Sequence, residues 1–318
     1  MTGGVAHGEI VEVPRTKEST IPSPTPSPLS RRRALLLTAG TAAAALAAGP
    51  AHATTGGDAR ARLRELERGH GARLGVYAHN VATGRTVAHR ADERFPVCSL
   101  FKPLAVAAVL RDLDHDGEVL ARRIHYTEAD LVDNSDVTRA HLETGMTVAE
   151  LADAAIRFSD NTAGNLLLRQ IGGPTAVTRF ARSIGDRVTR LDRWETELNS
   201  AEPWRVTDTT SPRAIGRSYA RLVLGDALDV RDRARLTHWL LHNTTSVNRF
   251  RAALPPPWTV ADKTGGGFYA ANNDAGVAWT EAGVPLVLAV MTTRPERDAE
   301  YDHPLIAEAT RLVADTLT

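Results

Sequence analysis

Strand signals stand toward both ends of this chain and helical spacing fills the middle, which implies one sheet built from the two ends. Residues 74–80 and 85–89 alternate around Ala82, Thr83 and Gly84, which spells a hairpin. Three further strands read from residues 258–263, 273–279 and 284–291. One helix spans 58–70 with Leu63 and Leu66 on its inner side, and another runs from Asp302 to the C-terminus. Between the ends, an Ala/Leu/Val-rich helix follows Pro103, and a capping box at Thr147 and Glu150 opens a helix that leads to Phe158. An apolar helix then runs from Asn161 to Gly172 and Gly173, and helices resume from Ser211 to about His242. The stretch between Arg193 and Asp208 is a polar loop without periodicity. The fold class predicted is α/β (α+β): a sheet from both chain ends flanked by helices, with an all-helical lobe inserted. No internal repeat is visible.

The 318 residues suffice for one large domain or two smaller ones. A formal net charge of +0 leaves no basic footprint for nucleic acid and no polybasic patch for a membrane surface. Cys98 is the single cysteine, so no internal disulfide can form; beside Ser99 it reads as a small buried hydrophobe. Asp112, Asp114, Asp116 and Gly117 imitate the front of a calcium loop, but the position that needs a bidentate glutamate is Arg123. The segment is an inter-helix turn. His238 and His242 stand one helical turn apart with no third ligand in view, and read as surface residues. No metal and no cofactor are expected.

Residues 1–30 lack periodicity and end in a Pro/Ser/Thr run, a disordered lead. Arg31, Arg32 and Arg33 then precede an Ala/Leu/Gly segment reaching Gly49, with Ala51, His52 and Ala53 after it. This is the pattern of a twin-arginine export signal with a small-x-small cleavage site. The apolar run is too short and too rich in small residues to span a bilayer core of ~30 Å. Cleavage after Ala53, export to the medium or the periplasmic or cell-wall space, and no stable membrane association are expected.

The lysines narrow the chemistry. Lys plus Arg total 38, yet lysine stands only at Lys17, in that leader, Lys102 and Lys263. Arginine can carry surface charge anywhere, but only an ammonium can lose and regain a proton. Ser99 and Lys102 lie three apart at the mouth of a helix, hence on one face, and Pro103 suits a first turn. Ser159-Asp160-Asn161 and Lys263-Thr264-Gly265 follow in order. Together the three motifs resemble those of the penicillin-recognising serine enzymes. The segment Arg193-Trp194-Glu195-Thr196-Glu197-Leu198-Asn199 resembles the omega loop of class A β-lactamases, carrying their glutamate and asparagine. The resemblance covers about residues 58–318.

The resemblance implies a β-lactamase/transpeptidase-like fold, with an antiparallel sheet, a helical lobe and the site between them. Residues 1–53 would be the lead and signal, and 54–318 the β-lactamase domain. Within it the sheet lobe takes about 54–92 and 243–318, and the helical lobe about 93–242. Ser99 would be the nucleophile. Its proton would go to Lys102, made neutral by crowding against Lys263, or to Glu195 through a water. The backbone N–H groups of Ser99 and Gly266 would form the oxyanion hole. Ser159 would protonate the leaving nitrogen, Asn161 would hold the acylamide side chain, and Glu195 with Asn199 would activate the deacylating water. Lys263, Thr264, Gly265 and Arg249 would bind the substrate and its carboxylate, with Arg251 close to Arg249 in sequence. An Arg193–Asp208 ion pair would close the loop.

Some positions depart from the family pattern. Gly266 stands where many relatives carry Ser, Thr or Ala, so a hydroxyl contact is lost and the backbone should loosen. Thr196 follows Glu195 where proline is common, and a cis peptide costs more without proline. Asn134 replaces an aromatic at the pocket rim and offers little apolar wall. Gly267 supplies no cysteine for the Cys98 disulfide of some carbapenem-hydrolysing relatives. The expected protein is an exported, monomeric, metal-free class A serine β-lactamase acting on penicillins and cephalosporins and giving antibiotic resistance. The nearest alternative, a penicillin-binding D,D-peptidase, shares the three motifs but lacks a deacylating glutamate on such a loop.

Overall fold

The computed structural model describes residues 56–318; the expected lead, export signal and cleavage site lie outside the described residues. Helix α1 (Gly56–Gly69) feeds the hairpin of β1 (Arg73–Asn80) and β2 (Thr86–His89). The two-residue strand β3 (Phe95–Pro96) and a 3₁₀ turn over Cys98–Phe101 open onto α2 (Lys102–Asp112). Short pieces follow: α3 (Glu118–Ala121), β4 (Arg123–Ile124), α4 (Asp136–Ala140) and β5 (Met146–Thr147). The Thr147 capping box then starts α5 (Val148–Asp153), which loosens into a π-helical turn over Ala154–Phe158. Helices α6 (Asn161–Gln170) and α7 (Pro174–Ser183) come next. After the polar loop, β6 (Thr209–Thr210) leads to α8 (Pro212–Val223) and α9 (Val230–Leu241). The chain closes with α10 (Phe250–Ala253), β7 (Thr259–Gly267), β8 (Ala271–Trp279), β9 (Pro285–Thr293) and α11 (His303–Leu317).

The five long strands form one antiparallel sheet in the order β2-β1-β9-β8-β7. Its seam is the β1–β9 ladder, from Arg73 opposite Thr293 to Asn80 opposite Leu286, and there the two chain ends meet. One face buries Leu74, Val76, Leu288 and Val290 against Leu63 of α1 and Ile306, Leu312 and Val313 of α11. The other face carries Ala275, Val277, Ala289 and Met291, which pack with Ile215, Tyr219 and Leu222 of α8. That cluster continues without a break into the helical core, where α2 is buried from Lys102 to Leu110. A helix apolar all round must sit in such an interior. Tyr219 Oη donates to Leu100 O at 3.0 Å, so α8 ties the sheet to the turn that carries Ser99.

Two of the longer elements differ from the sequence pattern. Strand β7 continues to Gly267, four residues past the alternating run, because residues 264–267 are Thr-Gly-Gly-Gly and carry no apolar alternation. Helix α7 was not anticipated after Gly172 and Gly173; Pro174 restarts the chain at the first helical turn. The acidic turn after α2 behaves as expected: Gly117 sits at φ 91°, and Asp114 Oδ1 accepts from Leu120 N at 3.0 Å. His242 Nδ1 lies 2.8 Å from His238 O, a contact within one helix end. Among the described residues no cluster of three or more His, Cys, Asp and Glu is placed to hold a metal ion, and no helix is long and apolar enough to cross a membrane.

Candidate active site

Ser99 lies in the 3₁₀ turn and Lys102 is the first residue of α2, so the two side chains share one face of a nearly continuous helix. The Lys102 ammonium is wholly enclosed. Its Nζ donates to Asn161 Oδ1 at 2.7 Å, to Ser159 O at 2.8 Å and to Ser159 Oγ at 3.4 Å, and lies 3.2 Å from Glu195 Oε1. Ser99 Oγ donates to that same Glu195 Oε1 at 3.3 Å.

Ser159 ends the π-helical turn in the left-handed region, at φ 59°, which turns its hydroxyl toward Lys102 and starts α6 at Asn161. Asp160 caps α6, accepting from Ala163 N at 2.8 Å, and its carboxylate also takes Thr138 N at 2.9 Å. Asn161 Nδ2 donates to Asp133 O at 2.9 Å, and Asn134 Nδ2 donates to Ser159 O at 3.0 Å. Asn134 thus braces this loop.

The loop from Arg193 to Asp208 closes on an ion pair, with Arg193 Nε donating to Asp208 Oδ2 at 2.6 Å. Asp208 Oδ1 accepts from Asp192 N at 2.7 Å and Arg193 N at 3.0 Å, so the buried carboxylate is fully engaged. Glu195 is gripped from behind by a residue that sequence reasoning missed. Asn165 accepts from Glu195 N at 3.0 Å and donates to Glu195 O at 2.8 Å. The signal was present: Asn165 is one helical turn past Asn161, on the same face of α6. In front, Asn199 Nδ2 donates to Glu195 Oε2 at 2.6 Å, and Asn199 Oδ1 is buried with no partner among the described residues. The Glu195–Thr196 peptide bond is cis although Thr196 is not proline.

Lys263, Thr264, Gly265 and Gly266 line the edge strand β7, where the sheet meets the Ser99 turn. A Cβ at Gly265 would stand 3.1 Å from Cys98 Cβ and 3.3 Å from Ser99 N, so glycine lets the strand pass this close to the nucleophile. Gly266 is held in the ladder opposite Asn272, and Tyr301 covers it: a Cβ there would stand 2.8 Å from Tyr301 Oη. The expected loosening is therefore corrected, because pairing on one side and an aromatic cover on the other fix the backbone. Lys263 Nζ donates to Thr264 O at 2.9 Å. Of the two arginines, Arg251 is engaged elsewhere, donating to Asp262 Oδ1 at 3.0 Å, Val260 O at 2.8 Å and Leu241 O at 3.1 Å. Arg249, nearly buried, donates through Nε to His303 Nδ1 at 3.2 Å. His303 helps line a cleft of about 800 Å³ with Thr196, Asn199, Gly266, Phe268 and Tyr301.

Burial lowers the Lys102 pKa, opposed by the neighbouring Glu195 carboxylate. Burial, then the charge of Lys102, pushes Lys263 well below the ordinary lysine range. Crowding of two ammonium groups was expected to act on Lys102; the structure puts desolvation first there, and the repulsion bears on Lys263. Burial also raises the Cys98 thiol, which keeps it protonated beside Ser99. The structure thus gathers Ser99, Lys102, Ser159, Asn161, Glu195 and Asn199 in one hydrogen-bonded group, with Lys263, Thr264, Gly265 and Gly266 along its sheet side. His303 and Tyr301 were missed, for a histidine in the first turn of a C-terminal helix carries no sequence signal.

A sequence model of the β-lactamase enzyme family matches residues 58–317. A β-lactamase of Streptomyces fradiae is 64% identical over 297 residues, covering 90% of this chain and 97% of that protein. A β-lactamase of Streptomyces albus G is 59% identical over 314 residues, covering 92% of this chain and 99% of that protein. The solved structure of the β-lactamase from Streptomyces albus G superposes with a TM-score of 0.81 at 62% identity, over 82% of this chain and 100% of that one.

Proposed function

Because the chain belongs to the β-lactamase enzyme family, as a class A serine β-lactamase, we propose that it opens the β-lactam amide through an acyl-enzyme on Ser99 that Glu195 resolves. The observation that carries this reading is the position of Glu195 Oε1, 3.3 Å from Ser99 Oγ and 3.2 Å from Lys102 Nζ. One carboxylate oxygen is within reach of the nucleophile's proton and is steadied by a buried ammonium. Glu195 takes the Ser99 proton as Oγ attacks the lactam carbonyl. The backbone N–H groups of Ser99 and Gly266 bind the oxyanion, the C–N bond breaks, and Ser159 gives the ring nitrogen a proton. Ser159 is resupplied through Lys102, whose Nζ lies 3.4 Å from Ser159 Oγ and 3.2 Å from Glu195 Oε1. The ammonium passes a proton to Ser159 and takes back the one Glu195 removed from Ser99, so Glu195 is a free carboxylate again.

A water deprotonated by Glu195 then adds to the acyl carbonyl, and Ser99 leaves as the alcohol with its proton restored. Asn199 supports this step in two ways. Its Nδ2 orients the carboxylate, and its unpartnered Oδ1 is an acceptor free for the water. Asn161 and the Lys263–Thr264–Gly265 strand bind the substrate's amide and carboxylate, with Arg249 behind. Clearing a β-lactam in this way confers resistance, and the twin-arginine lead before residue 54 supports export of the domain to where the drug acts.

Hydrolysis of benzylpenicillin and of a chromogenic cephalosporin by the full chain, followed by mass spectrometry, tests the reading. Many turnovers for the wild type and none for Ser99→Ala are expected. A single stoichiometric adduct without turnover would instead mark a peptidase-like protein.

A further inference from the structure

A nearly buried guanidinium needs acceptors to fix where it points. For Arg249 Nε the structure supplies a ring nitrogen, His303 Nδ1, at 3.2 Å. Asn272 Nδ2, which donates to Asp302 O at 3.1 Å, stands 3.5 Å from the same nitrogen. Arginine has donors only, so Nδ1 must accept, and the imidazole is neutral with its proton on Nε2. On the basis of the β-lactam hydrolysis proposed above, we propose that His303 is a positioning residue. Its neutral Nδ1 holds the Arg249 guanidinium toward the substrate carboxylate, so capture of carboxylate-bearing β-lactams depends on an uncharged His303.

The surroundings of the ring favour this state on balance. Arg249 faces it from the segment before α10, and the Tyr301 ring lies 6.0 Å away. The Asp302 charge, at the cap of α11, opposes the neutral state, but that carboxylate makes its hydrogen bonds elsewhere: its Oδ2 takes His70 Nδ1 at 2.9 Å and Arg294 Nη2 at 2.8 Å, and its Oδ1 takes Leu305 N at 3.0 Å. Behind Arg249 the buried Asp274 and Asp262 act on the guanidinium. The ring also sits in the first turn of a 15-residue helix, whose dipole opposes an imidazolium. Burial, then the Arg249 charge, pushes His303 below the ordinary histidine range. In acid a protonated Nδ1 would face the Arg249 donor as a second donor and place two cations together. The guanidinium would then lose its fixed direction.

Steady-state kinetics from neutral to acid pH, with benzylpenicillin and with its methyl ester, test this. In the wild type the KM for benzylpenicillin should rise in acid separately from any change in kcat, while the KM for the uncharged ester stays flat. His303→Asn, whose amide oxygen can accept from Arg249 Nε without titrating, should keep the neutral-pH KM and lose the acid rise. His303→Phe, which offers no acceptor, should raise the benzylpenicillin KM about tenfold at every pH and spare the ester. A wild-type KM in His303→Phe, or an acid rise that persists in His303→Asn, overturns the proposal. Should His303→Phe fail to fold by its melting curve, the His303→Asn profile decides alone. A wild type that turns over neither substrate removes the hydrolase reading itself, a result distinct from unchanged KM values.

Discussion

Asn165 is the residue whose loss should separate the architecture of the site from its chemistry. It touches neither Ser99 nor the cleft, yet both of its amide atoms are spent on the backbone of Glu195, at 3.0 Å and 2.8 Å. Asn165→Ala would leave Glu195 N and O without partners, in a place where Glu195 is 4% and Asn165 8% exposed. A buried group stripped of its hydrogen bond costs ~1–3 kcal/mol, and water entering the vacated space should return part of it, so the loss is about 2–4 kcal/mol. For a domain of this size each kcal/mol shifts the melting temperature by ~2–4 °C, giving a drop of roughly 5–15 °C. Catalysis should suffer more in one step than in the other. A carboxylate displaced by about 1 Å can lose on the order of 100-fold in rate, and the deacylating water depends wholly on Glu195. Calorimetric melting, with quench-flow mass spectrometry of the acyl-enzyme, measures both effects. A melting point within a degree of wild type, together with an unchanged deacylation rate, would refute the argument that Asn165 holds the base in place.

Other perturbations follow from the same geometry. Gly266→Ala should force Tyr301 aside, since the new Cβ would stand 2.8 Å from its Oη and 3.0 Å from Cζ. The activity lost should return largely in the Gly266→Ala/Tyr301→Ala double variant, and strictly additive losses would contradict the contact. Asp274 is held well above the ordinary carboxyl range by burial and then by Asp262, and its Oδ1 has no hydrogen-bond partner among the described residues. The folded protein therefore keeps a proton that the unfolded chain releases, and stability falls as pH rises above the unfolded carboxyl value until the raised folded value is passed. Asp274→Asn keeps an acceptor for Phe250 N and offers Asp262 a donor, so urea midpoints against pH should flatten over that window. A slope equal to wild type would show that Asp274 does not hold the proton.

The sequence reading and the structure agree most closely where one residue type has a single physical use. Scarce lysine at 102 and 263, in a chain that otherwise uses arginine, marked two ammonium groups suited to proton exchange, and the structure encloses both. The two-ended sheet was legible because residues 74–80 alternate around a hairpin and 284–291 form a short β-rich apolar run, and these strands form the β1–β9 seam. Legibility failed where backbone rather than side chains sets the structure. The glycines of 265–267 hide the end of β7, although their lack of side chains is what allows the approach to Ser99. It also failed where contacts are distant in sequence. Tyr301 over Gly266 and His303 beside Arg249 join residues 35 and more positions apart, and no spacing within one element announces them. Asn165 lies between these cases, readable from the face of α6 once Asn161 is placed on it.

The central claim is that Glu195 resolves the acyl-enzyme, and Glu195→Gln tests it most directly. Glutamine keeps the size of the side chain and can still take a hydrogen bond from Asn199, but it cannot accept a proton from water. Mixed with benzylpenicillin and sampled by intact-protein mass spectrometry, the variant should build up a stable covalent adduct on Ser99 with turnover reduced by a factor on the order of 10²–10⁴. Turnover equal to wild type, with no adduct accumulating, would contradict the account.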